Sequence, residues 1–158
     1  MDASADPIGL LLDQHEQLED LFAQHQEALV ERRWDEAARA LEEYSEHLKC
    51  HIELEERHLL PQCAHLQTLR WSGDVYRAEH RRIELLLHKA AGRLAQARRG
   101  GITSRALIAL LDHEGTLKHL IEHHHEREEK GLFRELRSEL SVEARASFVR
   151  DVIGCELH

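Results

Sequence analysis

Histidine is the residue type whose number and spacing in this sequence indicate chemistry. The chain has 14 histidines among 158 residues. Five of them are followed four residues later by a glutamate, against about two expected by chance. Such a pair places an imidazole and a carboxylate one turn apart on one face of a helix, and both groups bind divalent metals. The spacing alone does not separate a metal site from ion pairs on a helix surface, so the elements that carry the pairs must decide.

Four long stretches repeat apolar residues at helical spacing, and no stretch alternates with a period of two residues. We therefore predict no strands, and helices over about 8–31, 35–66, 74–98 and 103–136, with a short fifth helix over 142–153 behind a Ser141 cap. Asp6 and Pro7 form a start signal for the first helix, and Gly100 with Gly101 ends the third. Gly115 and Gly131 are expected to weaken the fourth.

These helices, joined by short connections at about 32–34, 67–73 and 99–102, predict an all-α fold. The expected architecture is an up-down-up-down antiparallel four-helix bundle with a short C-terminal fifth helix. A chain of this length allows one domain. We expect a single domain over residues 1–158, in which the bundle occupies about 8–137.

Six of the histidines and glutamates fall on the apolar faces of the four predicted helices. In an antiparallel hairpin, residues equally distant from the turn lie at the same height. His15 and His51 are equally distant from the first connection, His80 and His124 from the third, and Glu55 and His80 from the second. The predicted layer therefore contains His15, His51, Glu55, His80, His124 and Glu128.

Carboxylates on core faces are costly unless they are paired with positive charge. The segment that starts at His51 also resembles the segment that starts at His124, which suggests a repeat of two helical hairpins. Four imidazoles and two bridging carboxylates suit a pair of iron or manganese ions. Such a pair would keep room for a bridging oxo or hydroxo group and for two open positions.

The order of these residues resembles the hemerythrin-like family, also called the HHE cation-binding family. Its pattern is a core histidine on the first helix, His-x-x-x-Glu on the second, a core histidine on the third and His-x-x-x-Glu on the fourth. The resemblance covers about residues 8–137. It implies a non-haem centre of two iron ions with a bridging oxo or hydroxo group, bound by His15, His51, Glu55, His80, His124 and Glu128.

The resemblance implies that this centre binds dioxygen, nitric oxide or peroxide for sensing, storage or redox chemistry. Oxygen-carrying members have a fifth histidine on the third helix, where this chain has Tyr76 and Glu84. The four-histidine set is closer to di-iron proteins of iron–sulfur cluster repair, so repair, or removal of nitric oxide or peroxide, is one alternative. A helical interaction module that binds zinc or nickel is the other.

Composition excludes several classes of protein. A net charge of −9 argues against nucleic-acid binding. The acidic N-terminal sequence has a short apolar run, so we expect no signal peptide and no membrane span. Three cysteines without a CxxC motif suggest a reducing, cytoplasmic location.

Residues outside the predicted layer receive less specific expectations. The other histidines are expected on the surface or beside the site, with His25 packed in the core about three turns away. Glu56 and Glu129, beside the predicted ligands, are expected on a solvated face, with orientation of the imidazoles as the alternative. Cys50 is expected as an inert thiol. Glu84 stays open as an additional ligand or gate.

Overall fold

A computed structural model describes residues 6–65, 71–137 and 139–156, and within these ranges the chain forms helices and no strands. The α-helices are α1 (Pro7–Val30), α2 (Trp34–Leu54), α3 (Gly73–Gly100), α4 (Ser104–Arg127), α5 (Phe133–Leu136) and α6 (Val142–Glu156). The first π turn (Glu55–Leu59) continues α2 and leads into a 3₁₀ helix (Leu60–His65), while the second π turn (Glu128–Leu132) continues α4. The all-α prediction is confirmed.

Helices α1 and α4 begin at residues whose side chains supply a missing hydrogen bond of the helix N-terminus. The Asp6 side chain accepts a hydrogen bond from the Ile8 N–H at 3.1 Å, and Pro7 occupies the first turn. Thr103 Oγ1 accepts from the Ala106 N–H at 3.1 Å and caps α4. Gly101, at a φ of 81°, follows the end of α3 in a conformation that favours glycine. The helix starts predicted at about residues 8, 35, 74, 103 and 142 lie within one residue of the observed starts.

The four long helices pack in a closed ring, α1 on α2, α2 on α3, α3 on α4 and α4 on α1. Arg32 joins two connections at one end of this bundle, because its guanidinium donates to the Ile102 carbonyl at 3.3 Å and to Ser104 Oγ at 2.8 Å. Helix α6 packs against α1 and α2. We call α1 with α2 the first hairpin, and α3 with α4 the second hairpin. The end of the second predicted helix at Leu66, and residues 67–70 of the predicted connection, lie outside the described residues.

Among the residues that the structure describes, the core consists of three apolar clusters that follow one another along the bundle. The upper cluster, which includes Leu11 and Tyr76, lies beneath α6. The middle cluster includes Leu18 and Ile83, and the lower cluster, which includes Leu29, lies near the connections that Arg32 joins. Buried polar side chains lie between neighbouring clusters. The upper polar layer consists of His15, His51, Glu55, His80, His124 and Glu128, and the lower polar layer of His25 and Glu114.

Candidate metal centre

The six side chains of the upper polar layer converge, as their equal distances from the helix connections predict. None of them is more than 2% exposed. Glu128 Oε1 lies 3.1 Å from His15 Nε2 and 3.3 Å from His124 Nε2. Glu55 contacts His51 Nε2 through one carboxylate oxygen and lies 3.4 Å from His80 Nε2 through the other. Each carboxylate therefore faces one histidine from each hairpin.

These atoms form two overlapping groups in which one ligand atom per residue lies within 4.8 Å of the others. One group consists of His15, His51, Glu55 and Glu128, and the other of Glu55, His80, His124 and Glu128. Both groups include the same two glutamates, which is the arrangement that bridging carboxylates between two ions require. Two imidazole nitrogens complete each group.

The carboxylates of Glu55 and Glu128 are the polar groups that most need a cation. None of their four oxygens has a hydrogen-bond partner among the described residues, and the same holds for the Nε2 atoms of His80 and His124. Burying a carboxylate without a partner is costly. A set of imidazole Nε2 and carboxylate oxygens without thiolate suits iron or manganese. The residues present therefore fit a pair of metal ions.

Each of the four histidines is oriented by a contact of its Nδ1 atom, the ring nitrogen that points away from the centre of the layer. The Nδ1 of His15 lies 3.0 Å from Glu129 Oε1, and that of His80 lies 3.2 Å from Glu56 Oε1. The Nδ1 of His51 lies 2.7 Å from Gln14 Oε1, and that of His124 lies 3.2 Å from Glu79 Oε1. An Nδ1–H that donates to an outer oxygen fixes the tautomer that leaves Nε2 free to bind a metal. We call Gln14, Glu56, Glu79 and Glu129 the outer residues.

Burial and the neighbouring charges shift the pKa values of His15, His124 and Glu55 toward the protonation states of metal ligands, and that of His80 away from them. Burial and the charge of His51 lower the pKa of His15 to about 4, and burial also lowers the pKa of His124. Burial would raise the pKa of Glu55, but His51 and His80 outweigh it, so this pKa lies well below its usual value. The pKa of His80 is raised, because its contacts with Glu55 and Glu56 outweigh burial. Neutral histidines and ionised carboxylates are the forms that bind metal.

Both glutamates of the layer stand at the start of a π turn. The Leu60 N–H donates to the Glu55 carbonyl, and the Phe133 N–H donates to the Glu128 carbonyl, each across five residues. Such turns are rare and occur frequently at functional sites. Their appearance at equivalent positions supports the repeat of two hairpins. The sequence predicts continuous helices here, because apolar spacing does not report which carbonyl accepts each hydrogen bond.

His125 lies buried beside the layer. Its ring stacks on that of His15, with centroids 3.8 Å apart and planes 9° apart. Neither ring nitrogen has a hydrogen-bond partner within the described ranges. Burial, followed by the charge of His15, strongly lowers its pKa. The residue flanks the site, as one of the two sequence expectations allowed, but no pattern in the sequence indicated the stack.

Several expectations outside the layer are wrong or are refined. Glu56 and Glu129 contact His80 and His15, which is the orienting role that the sequence left open, while Glu129 is also exposed at 44%. Cys50 is bonded in a disulfide, which contradicts the expected free thiol. Glu84 is exposed on α3.

His25 is packed in the core as predicted, but it also contacts a charged partner that the sequence reading missed. Its Nε2 lies 2.8 Å from Glu114 Oε2. The sequence could have indicated Glu114 through its position in the helical repeat, because it lies four residues after Leu110 and therefore on the apolar face of α4. The structure thus adds a second polar layer to the one predicted.

A comparison with protein-family models matches residues 6–113 to the Hemerythrin HHE cation binding domain. The chain belongs to this family. The match includes His15, His51, Glu55 and His80 and ends before His124. Comparisons with curated proteins and with solved structures gave no match. No helix in the described ranges combines the length and apolarity needed to cross a membrane.

Proposed function

We propose that the protein holds two iron ions in the upper polar layer and binds a small ligand there, namely dioxygen, nitric oxide or peroxide, for sensing, storage or redox chemistry. The proposed ligands are His15, His51, Glu55, His80, His124 and Glu128, with an oxo or hydroxo group as a further bridge. The observation that carries the proposal is the four carboxylate oxygens of Glu55 and Glu128, which are buried without hydrogen bonds among imidazole nitrogens.

The chain's own residues prepare the site before any ion arrives. The outer residues hold each imidazole with Nε2 directed inwards. The upper and middle apolar clusters exclude water from above and below the layer. A pair of iron ions in this setting would supply reversible binding and redox chemistry for a small ligand. The dry surroundings strengthen each electrostatic contact to such a ligand.

Metal content of the full-length protein tests the proposal. We expect about two irons per chain by mass spectrometry after aerobic purification, with near-ultraviolet charge-transfer absorption. His124→Ala should lose at least half of this iron, because it removes a ligand from one group. His119→Ala is the matched control, since His119 lies on the same helix with a side chain 75% exposed.

The alternatives give other outcomes. Zinc or nickel in place of iron would overturn the iron assignment and favour an interaction module. Equal iron in both variants would overturn the ligand assignment. Turnover of peroxide or nitric oxide by the iron-loaded protein would assign it to detoxification or repair in place of storage or sensing.

We also propose a cytoplasmic location, where a reducing environment would keep iron in the ferrous form for loading. The disulfide at Cys50 is evidence against it, because disulfides are rare in the cytosol. Cell fractionation with alkylation of free thiols tests the proposal. Recovery in an oxidising compartment, with Cys50 protected from alkylation, would overturn it.

A further inference from the structure

The outer residues follow the repeat of the two hairpins, with one exception. Glu56 follows Glu55 and contacts His80, while Glu129 follows Glu128 and contacts His15, so each of these carboxylates reaches across to the other hairpin. Gln14 and Glu79 form the other equivalent pair. Each precedes the lone histidine of its hairpin and contacts the second histidine of the same hairpin, and in this pair an amide corresponds to a carboxylate.

Glu79, the carboxylate of this unequal pair, is the least exposed of the three carboxylates among the outer residues. Glu79 is 14% exposed, against 33% for Glu56 and 44% for Glu129. Its charge is therefore screened less by solvent than the other two. Arg127 Nε lies 3.3 Å from the same Glu79 oxygen that faces His124, and its guanidinium lies 4.8 Å from the Trp71 ring centroid. These contacts hold Glu79 in place beside His124.

A carboxylate behind a histidine makes that imidazole a stronger metal ligand than a neutral amide does, because negative charge on Nδ1–H increases the basicity of Nε2. The ion position between His80 and His124 has a carboxylate behind both histidines. The position between His15 and His51 has one carboxylate and the amide of Gln14. Changes to outer residues of this kind alter metal affinity by about 10- to 100-fold.

We propose that the two ion positions are inequivalent, and that the position of His80 and His124 binds metal more tightly and fills first. The inference rests on the proposed function, since it requires a site for two ions. Gln14 and Glu79 are the positioning residues that set the difference. The weaker position, beside His15 and His51, is then the one that exchanges its ion more readily.

Two variants that each keep one position allow the affinities to be compared directly. His15→Ala impairs the first position and His80→Ala impairs the second, by removing equivalent histidines of the two hairpins. The probe is Co²⁺ alone, added to metal-free protein under anaerobic conditions and followed by calorimetry and visible absorption. We expect His15→Ala to bind one Co²⁺ about 10- to 100-fold more tightly than His80→Ala does.

Nearly isosteric exchanges at the outer residues complete the test. Gln14→Glu in the His80→Ala background should tighten binding about tenfold, and Glu79→Gln in the His15→Ala background should weaken it about tenfold. Each exchange placed in the opposite background is the matched control and should change affinity less than twofold. Equal affinities in the two backgrounds, or outer exchanges without effect, would overturn the inference while two Co²⁺ per wild-type chain would leave the proposed function intact. A wild-type chain that binds no metal would instead remove the proposed function.

Discussion

Both ring nitrogens of His25 face groups that only accept hydrogen bonds. Nδ1 donates to the Ala37 carbonyl at 2.7 Å, and Nε2 lies 2.9 and 2.8 Å from the two oxygens of Glu114. His25 is fully buried and Glu114 is 2% exposed. The lower polar layer is therefore a buried pair, in which Glu114 Oε1 also accepts a hydrogen bond from Gln26 Nε2 at 3.4 Å.

A double-mutant cycle tests this pairing. His25→Leu or Glu114→Leu alone should lower the free energy of unfolding by about 3–5 kcal/mol, because each leaves its partner buried without the ionisable group that faces it. The double variant should lose far less than the sum of the two. Urea unfolding of the four proteins measures this. Additive losses would show that the two residues do not act as a pair.

At His125, the folded protein buries two ring nitrogens without partners. His125→Phe keeps an aromatic ring against His15 and removes both polar atoms. We expect the metal-free variant to gain about 1–3 kcal/mol in the free energy of unfolding, the penalty released by removing unsatisfied buried groups. His125→Ala, which opens a cavity in place of the ring, is the comparison and should be less stable than the wild type. A loss of stability in His125→Phe would mean that the ring nitrogens have partners in solution.

At the scale of the helices, the second π turn brings the backbone of Gly131 against two aromatic residues. A Cβ on Gly131 would lie 3.0 Å from a ring carbon of Trp71 and 3.0 Å from Tyr76 Oη. Tyr76 also donates to the Arg127 carbonyl at 3.4 Å, and its ring lies edge-on to that of His124. The glycine thus permits a close approach beside the site.

Gly131→Ala and Gly115→Ala form a matched pair of substitutions. Gly131→Ala should destabilise the protein by about 1–3 kcal/mol, since Trp71 or Tyr76 must move. Gly115 lies inside α4 with no atom within 4 Å of an added Cβ, so Gly115→Ala should stabilise by about 0.5–1 kcal/mol. Thermal unfolding of both variants measures the difference. Equal effects of the same sign would contradict the close approach at Gly131.

The sequence predicted most of the helical framework for a physical reason. Helix phase and distance from the turns are periodic properties, so they placed His15, His51, Glu55, His80, His124 and Glu128 in one layer, where the structure brings them together. That these residues bind metal, and that the chain is one domain, stay predictions. Of the outer residues, Glu56 and Glu129 are candidates for an orienting role from the sequence, whereas Gln14 and Glu79 are missed because they look like ordinary polar positions on half-exposed faces. Their role depends on contacts between helices, which spacing along one helix does not report.

At the scale of the whole molecule, the buried histidines make stability depend on pH. The pKa of His15 falls from 6.5 in the unfolded chain to about 4 in the folded one, and those of His124 and His125 are also lowered. Below pH 6.5 the unfolded state therefore binds more protons than the folded state, and stability falls as pH decreases. His80 acts in the opposite direction, because its pKa is raised.

We expect the metal-free protein to lose stability as pH decreases from about 6.5 to about 4, with roughly 3 kcal/mol of the loss due to His15. Urea unfolding at a series of pH values measures this slope. His15→Gln, which does not titrate, should show a shallower fall over the same range. An unchanged slope in that variant would show that His15 takes up its proton equally in both states.

The two groups of four possible metal ligands share Glu55 and Glu128, and this sharing would also join the two hairpins to each other. Each group takes three side chains from one hairpin, with its π turn, and a single glutamate from the other. Ions bound there would act as crosslinks between the halves, formed without any covalent bond. Separation of the hairpins would then require each ion to lose its bond to the glutamate of the other hairpin, so bound metal would slow the opening of the bundle.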